Sequence, residues 1–163
     1  MRTHTVIDSP IGPLTLVATD GELSGVYLPE HRHMPDPAGF GPRVGSGFEE
    51  AAEQLAEYFA GRRQRFSLRT RLDGTGFQRL VWRAVAAIPY GRTRTYGELA
   101  AELGRPGRAR AVGAANGRNP LAIVVPCHRL VASDGGLAGY GGGLARKRFL
   151  LELERSARLT RTA

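Results

Sequence analysis

Cys127 is the single cysteine of the 163-residue chain, and His128 and Arg129 follow it directly. A thiolate is a strong nucleophile toward carbon, so this position has the chemistry of a covalent acceptor. A helical turn led by Pro126 would favour the thiolate, as would His128 and Arg129. A lone cysteine is more often a small buried hydrophobe. His128 and Arg129 are polar and follow an apolar run, so a reactive nucleophile and an inert buried residue become about equally plausible interpretations of Cys127.

The cysteine count excludes an intrachain disulfide and any multi-cysteine zinc or iron–sulfur site. His31 and His33 lie two apart in a loop without a third ligand nearby, so we expect no metal. No apolar run approaches the roughly 20 residues that cross a bilayer. The amino terminus lacks the apolar core of a secretory signal. We therefore expect a cytoplasmic protein with no membrane contact.

The net charge of +8 is unevenly distributed. Residues 1–74 hold 8 basic and 10 acidic residues, a net of −2, whereas residues 75–163 hold 15 basic and 5 acidic residues, a net of +10. All the basic residues except Lys147 are arginines, whose planar forks suit phosphate groups. An arginine-rich chain also follows from genome composition alone, but charge concentrated in one half favours a module that binds a polyanion.

The first half has the pattern of a small mixed α/β domain, residues 1–74. Alternating apolar residues at 3–7, 14–17 and 23–28, with Asp20-Gly21 between the last two runs, predict a three-stranded antiparallel sheet. Ser46 and Glu49 form a capping box before a helix. That helix is expected to bury four side chains: Phe48, Ala52, Leu55 and Phe59. The segment 66–68 is a short strand candidate.

The second half, residues 75–163, has the pattern of a mainly helical domain. Capping boxes pair Thr75 with Gln78 and Thr95 with Glu98. Helices at 96–103 and 108–116, separated by a turn at 105–107, predict a helix-turn-helix. The apolar run 121–125 predicts a buried strand, and a glycine-rich loop at 135–143 precedes a last helix at 144–155. The fold class is therefore α+β.

The sequence Pro126-Cys127-His128-Arg129 carries a resemblance to a known family. Preceded by Asn119-Pro120 and followed by Gly139-Tyr140-Gly141-Gly142-Gly143-Leu144, it resembles the O6-alkylguanine-DNA alkyltransferases, or methylated-DNA–protein-cysteine methyltransferases. The similarity extends upstream through residues 77–82, 88–91, 96–100 and 110–113. Residues 9–14 are similar to the opening of the same family, so nearly the whole chain is covered.

The resemblance implies DNA repair by irreversible transfer of the alkyl group from O6-alkylguanine, and less efficiently from O4-alkylthymine, to Cys127. His128 would draw the thiol proton through a water, Glu154 would orient the imidazole, and Asn119 would fix the turn before the acceptor. An Asx-type turn before Pro120 explains Asn119 equally well. No cofactor is implied. A thioether is a poor leaving group and there is no second thiol, so one molecule should repair one lesion.

The resemblance also implies that the helix-turn-helix binds the minor groove of double-stranded DNA and that the damaged nucleotide is flipped out. Arg110 would fill the vacated stack, and Tyr96 would assist rotation and hydrogen-bond the flipped base. The further expected DNA contacts are Thr95, Arg108, Ala111 and Gly113. The expected base pocket consists of Tyr96, Leu130, Tyr140 and Gly141. The family commonly has valine at position 130, and some members have serine at position 141.

Simpler interpretations remain open for single residues and for the whole chain. Tyr96 is also typical of a packing residue, and Arg110 of a phosphate contact. A helix-turn-helix lesion sensor with an inert Cys127, or a cysteine hydrolase or redox thiol using Cys127 and His128, are the rival functions. We expect a monomer when free, with clustering on DNA left open.

Overall fold

The computed structural model describes residues 1–136 and 140–162, the last five of these by backbone only. Gly139 of the expected loop motif therefore lies outside the described residues. The three amino-terminal strands are β1 (Arg2–Ile7), β2 (Leu14–Thr19) and β3 (Glu22–Tyr27). They form one antiparallel sheet in the order β1-β2-β3, which confirms the predicted sheet.

Helix α1 (Glu49–Phe59) packs its inner face into the core. The predicted Ser46–Glu49 capping box is wrong, because the N-cap is Phe48 and the Glu49 carboxylate accepts from the Gly47 amide at 2.8 Å. Gly47 has φ +101°, outside the helical region, so the helix cannot begin earlier. The buried face is also shifted from the expected one and consists of Ala51, Gln54, Leu55 and Tyr58.

The predicted strand at 66–68 is wrong. The only bridge in this stretch of the described chain joins Leu23 to Thr70, with the Leu23 amide donating to Arg69 O at 2.9 Å. Phe66 and Leu68 are half-buried against the core. The apolar spacing reflects this packing and not a strand ladder.

The described part of the second half contains α2 (Gly76–Ala86), α3 (Tyr96–Glu102), α4 (Ala109–Gly117) and α5 (Leu144–Thr162). Both predicted capping boxes, Thr75 with Gln78 and Thr95 with Glu98, are present with reciprocal hydrogen bonds. A short parallel pair joins β4 (Arg94–Thr95) to β5 (Leu130–Val131). Helices α3 and α4 and the turn between them form the predicted helix-turn-helix, and the α+β fold class is confirmed.

The predicted buried strand at 121–125 is wrong, because these residues form a tight turn. The Val125 amide donates to Leu121 O at 2.8 Å, and Ile123 has φ +72°. A β-branched residue rarely adopts this conformation, which persists only where the surroundings impose it. The run is buried as expected. Apolar runs of this length record burial and do not distinguish a strand from a buried turn.

The two halves share one hydrophobic core. Leu16 and Leu55 from the first half and Trp82 and Leu150 from the second belong to a single cluster of buried side chains. The backbone of Val26 in β3 also hydrogen-bonds across the halves to Pro120 and Ala122. Among the described helices, none is both long and apolar enough to span a membrane.

Candidate active site

Cys127 lies at the start of a short 3-10 turn, Cys127–Arg129, and its side chain is buried. The Cys127 amide donates to Val125 O at 2.7 Å. The Cys127 carbonyl accepts from the Leu130 amide and from Nδ2 of Asn116 at 3.2 Å. The backbone on both sides of the thiol is therefore fixed, partly by helix α4.

Burial raises the pKa of the Cys127 thiol. The Asn119 side chain, the positive charge of Lys147, the Cys127 backbone and the Tyr140 side chain lower this pKa, but by less than burial raises it. The expectation that the turn, His128 and Arg129 together would favour the thiolate over the thiol is therefore wrong. The turn is only three residues long, and the His128 and Arg129 side chains bond to Glu154 instead. Burial therefore favours the neutral thiol over the thiolate in the free protein.

His128 and Glu154 form a buried pair. The Nε2 atom of His128 lies 2.6 Å from Oε2 of Glu154, and the two residues are 0% and 1% exposed. Burial lowers the pKa of His128, and this effect exceeds the opposing effect of the Glu154 carboxylate. The neutral imidazole then carries its proton on Nε2, facing the carboxylate. Its Nδ1 atom is buried and has no hydrogen-bond partner among the described residues, so a lone pair is left to accept a proton.

Arg129 supplies the charge that keeps Glu154 ionised. Its Nε and Nη2 atoms lie 2.8 and 2.9 Å from the two Glu154 oxygens, while Nη1 donates to Ile88 O at 2.7 Å. Burial alone would raise the pKa of Glu154. The bonds from His128 and Arg129 instead hold it well below the usual range. Sequence reasoning missed this role of Arg129, although the residue stands inside the quoted motif.

Asn119 fixes the tight turn between α4 and the thiol. Its Nδ2 donates to Val125 O at 2.9 Å, and its Oδ1 accepts from the Leu121 amide at 3.0 Å. Its side chain also lowers the pKa of the Cys127 thiol. Asn119 therefore shapes the backbone that leads to Cys127, and its bond from the Leu121 amide is the Asx-type turn that the alternative interpretation expected.

Lys147 is a site residue that sequence reasoning missed. It is fully buried, its Nζ donates to Leu130 O at 2.7 Å, and the ammonium lies 5.9 Å from the ring centres of both Tyr96 and Tyr140. Burial lowers the pKa of Lys147 to about 8, against the opposing pull of Cys127. The available signal was composition, because Lys147 is the one lysine among 23 basic residues.

The expected base-pocket residues come from three segments of the chain. Leu130 follows the 3-10 turn and is fully buried, whereas Tyr96 begins α3 and is half-buried. Tyr140 is buried beside the thiol. Gly141 contacts the first half of the chain, because its carbonyl accepts a hydrogen bond from the Arg32 amide at 2.7 Å. The base pocket formed by these four residues stays a prediction.

Gly141 lies in a tight space. A Cβ atom there would lie 3.2 Å from Gly117 O and from Nε2 of His31. Those neighbours would have to move by a few tenths of an ångström to admit a serine. Glycine at position 141 therefore allows the loop to pack closely against the first half of the chain.

The expected DNA contacts lie along the helix-turn-helix. Arg108 and Arg110 are exposed at the start of α4, while Ala111 and Gly113 are half-buried. A Cβ on Gly113 would lie 3.6 Å from the Tyr96 ring, so the small residue admits the ring. The Thr95 hydroxyl is occupied as a helix cap, because it accepts from the Glu98 amide at 3.0 Å.

Two family models match the two halves of the chain. Residues 3–72 match the ribonuclease-like domain of 6-O-methylguanine DNA methyltransferase, and residues 76–156 match its DNA-binding domain. The chain belongs to the 6-O-methylguanine DNA methyltransferase family. The resemblance seen in the sequence is thus confirmed.

Relatives within this family are similar over nearly their full length. The methylated-DNA–protein-cysteine methyltransferase of Mycobacterium tuberculosis is 51% identical over 156 residues, covering 96% of this chain and 94% of that protein. The one of Methanosarcina barkeri is 46% identical over 152 residues, covering 93% and 96%. A crystal structure of Mycobacterium tuberculosis OGT in complex with DNA superposes with TM-score 0.88 at 51% identity, covering 95% and 94% of the two chains.

The activity of this 6-O-methylguanine DNA methyltransferase family member is DNA repair. The protein transfers the alkyl group from the damaged base to its own cysteine, and the modified protein is not regenerated. The predicted repair activity, its single-turnover character and its DNA partner are therefore confirmed, whereas base flipping and the use of O4-alkylthymine stay predictions.

Proposed function

We propose that Cys127 is the alkyl acceptor and that His128, Glu154 and Asn119 prepare it for reaction. The observation that carries this proposal is the buried pair of His128 and Glu154, 2.6 Å apart, in which His128 directly follows the only cysteine of the sequence and Glu154 comes from the last helix. The activity requires a cysteine, and the chain offers one. Nucleophile, base and orienting carboxylate are the recurring parts of covalent catalysis.

The reaction begins with the thiol proton, which passes through a water to Nδ1 of His128. The sulfur then forms a bond to the alkyl carbon while the bond from that carbon to guanine O6 breaks, and the electron pair leaves with O6. Guanine departs as a stabilised anion, or as the neutral base if a proton reaches it in time. The nearby charge of Lys147 stabilises the thiolate and offsets the burial that disfavours it.

The helix-turn-helix carries the DNA-binding part of the proposal. Exposed Arg108 and Arg110 lie at the start of α4, where arginine reaches phosphates or fills a vacated base stack. The same helix offers the small residues Ala111 and Gly113 for close approach to the minor groove, and Thr95 caps the helix before it. The minor groove carries little sequence information, which suits repair of damage in any sequence.

The target base reaches Cys127 by rotation out of the duplex, because an atom inside the helix is otherwise out of reach. We assign Tyr96, Leu130, Tyr140 and Gly141 to the pocket that receives the base. O6-alkylguanine is the main substrate and O4-alkylthymine a slower one. Tyr96 and Tyr140 can bind the alkylated base in two ways, because their ring faces pack against it and their hydroxyls form hydrogen bonds.

The division of the chain near residue 74 and the place of action complete the proposal. Separate family models for residues 3–72 and 76–156 support a first domain at 1–74 and a second at 75–163. A cytoplasmic location follows from the substrate, because the relatives belong to Mycobacterium and Methanosarcina, cells whose DNA lies in the cytoplasm.

A stoichiometry experiment tests this proposal. A fixed amount of protein is mixed with a rising excess of duplex DNA that contains O6-methylguanine, and the repaired guanine is counted. The expected result is a plateau at one lesion per protein, with no repair by Cys127→Ser although that variant still binds the duplex. Repair by the serine variant, or continued turnover by the wild type, would contradict it.

A further inference from the structure

Glu154 receives a hydrogen bond from the first half of the chain. Tyr58 is the second-last residue of α1, and its hydroxyl donates to Oε2 of Glu154 at 2.7 Å. Tyr58 is 0% exposed, so this contact is as deeply buried as the His128–Glu154 pair. The helix of the amino-terminal half thereby touches the pair that we assign to proton transfer.

The position of the Tyr58 ring is fixed by other aromatic rings. Phe59 and Tyr90 contact it edge-on with ring centres 5.4 and 6.2 Å away, and Phe66 lies at 5.7 Å. Burial, together with the Glu154 charge, raises the pKa of Tyr58 well above its usual value. The phenol therefore stays protonated and donates its hydrogen to the carboxylate.

Three donors share the same oxygen of Glu154. Oε2 lies 2.6 Å from Nε2 of His128, 2.7 Å from the Tyr58 hydroxyl and 2.9 Å from Nη2 of Arg129. Hydrogen bonds to an ionised acceptor are strong and each one spreads its charge. Removing one donor leaves more negative charge for the others, and a more negative partner at Nε2 makes the imidazole more basic at Nδ1.

We propose that Tyr58 is a positioning residue for alkyl transfer, whose hydroxyl takes part of the Oε2 charge and thereby keeps His128 neutral, with Nδ1 ready to accept the thiol proton. This inference rests on the proposed roles of Cys127, His128 and Glu154. It gives the amino-terminal half a direct part in the reaction.

Other charged and titratable groups also surround His128 and Glu154, and they come from three elements of the fold. Arg129 from the 3-10 turn and Lys147 from α5 both disfavour a charged His128. On the side of the loop after α2, the Gly91 amide donates to Oε1 of Glu154 at 3.3 Å, and Tyr90 faces Tyr58. A Tyr58→Phe substitution changes none of these groups, so a change in His128 titration reports the lost phenol.

The test uses the full-length protein with Tyr58→Phe and, separately, 3-fluorotyrosine at position 58. Titration of His128 is followed by NMR, and single-turnover transfer from an O6-methylguanine duplex is measured across pH. Phenylalanine should raise the His128 pKa and the acidic limb of the rate profile by about 0.5 pH units. Fluorotyrosine, a more acidic and therefore stronger donor, should shift both in the opposite direction.

Tyr27→Phe is the matched control, because Tyr27 stacks on Phe40 in the same half and does not contact Glu154. It should leave both titrations unchanged. Unchanged His128 titration in both Tyr58 variants, with at most a loss of stability, would overturn the proposal. If Tyr58→Phe fails to fold, the fluorotyrosine protein decides alone. Failure of the wild type to take up methyl would instead refute the proposed function, because the NMR titration does not depend on transfer.

Discussion

The guanidinium of Arg129 donates hydrogen bonds to both carboxylate oxygens of Glu154, with Nε 2.8 Å from Oε1 and Nη2 2.9 Å from Oε2. This two-point contact fixes the plane of the carboxylate, which a single bond would leave free to rotate. The orientation of His128 follows, because Oε2 also faces its Nε2 atom. A buried ion pair thus directs the base that we assign to the thiol.

Glu154→Gln keeps the shape of the side chain and removes its charge. We expect transfer to slow by about 100-fold, because the imidazole loses the partner that sets its tautomer and basicity. We also expect the free energy of unfolding to fall by about 3–5 kcal/mol, because Arg129 keeps its buried charge without a counter-ion. Single-turnover rates and urea unfolding measure the two effects. Glu152→Gln, exposed on the same helix, should change neither. An unaltered rate in Glu154→Gln would refute the assigned role.

Lys147→Met removes the positive charge beside the thiol. The pKa of Lys147 is lowered to about 8, so the ammonium is charged below that pH and neutral above it. The wild type should therefore exceed the variant by about 10-fold below pH 8, and the ratio should shrink as pH rises past 8. Single-turnover rates across this range provide the test. Arg148→Met, exposed on α5, serves as control. A ratio that stays constant with pH would contradict the electrostatic role.

His31→Asn tests the pH dependence of stability. Burial is the main cause that lowers the pKa of His31 to about 4 from 6.5. Between these values the unfolded chain binds more protons than the folded one, so the free energy of unfolding falls as pH falls from 6.5 to 4. Urea unfolding at several pH values should show a shallower fall for His31→Asn. His33→Asn should keep most of the wild-type slope, because the charge of His33 is the smaller cause. Equal slopes in wild type and His31→Asn would contradict the buried neutral state.

Arg110→Ala separates DNA binding from chemistry. We expect about a 10-fold loss of transfer from duplex DNA, with an unchanged rate toward free O6-methylguanine base, because the Arg110 side chain is exposed on α4 while the thiol is buried. Rates with the two substrates give the comparison. Arg62→Ala, an exposed arginine of the first half, should alter neither. An equal loss on the free base would place the effect of Arg110 in the pocket and not on DNA.

Local signals explain what the sequence could predict. The Thr75–Gln78 and Thr95–Glu98 boxes depend on side chains three residues apart, and both formed. The Ser46 box has the same spacing and failed because the φ of Gly47 delays the helix start. Spacing records which bonds are available, whereas the backbone between them decides whether they form.

Tertiary packing explains what the sequence could not predict. Tyr58 and Phe59 are adjacent aromatic residues. A small error in helical phase led to the prediction that Phe59 is buried, whereas Phe59 is half-buried and the buried residue is Tyr58. Its bond to Glu154 spans 96 positions, which no local pattern records. Lys147 was missed because a buried ammonium requires a carbonyl and two rings from distant segments. Family resemblance identified the thiol motif, and the electrostatics around it required the fold.

Mapping of the transferred methyl group shows directly whether Cys127 is the alkyl acceptor. The protein is incubated with duplex DNA containing O6-methylguanine, digested, and examined by peptide mass spectrometry. We predict one methyl group per protein, carried by the peptide that contains Cys127 and absent from Cys127→Ser. A repaired duplex together with an unmodified Cys127, or a methyl group on any other residue, would contradict it.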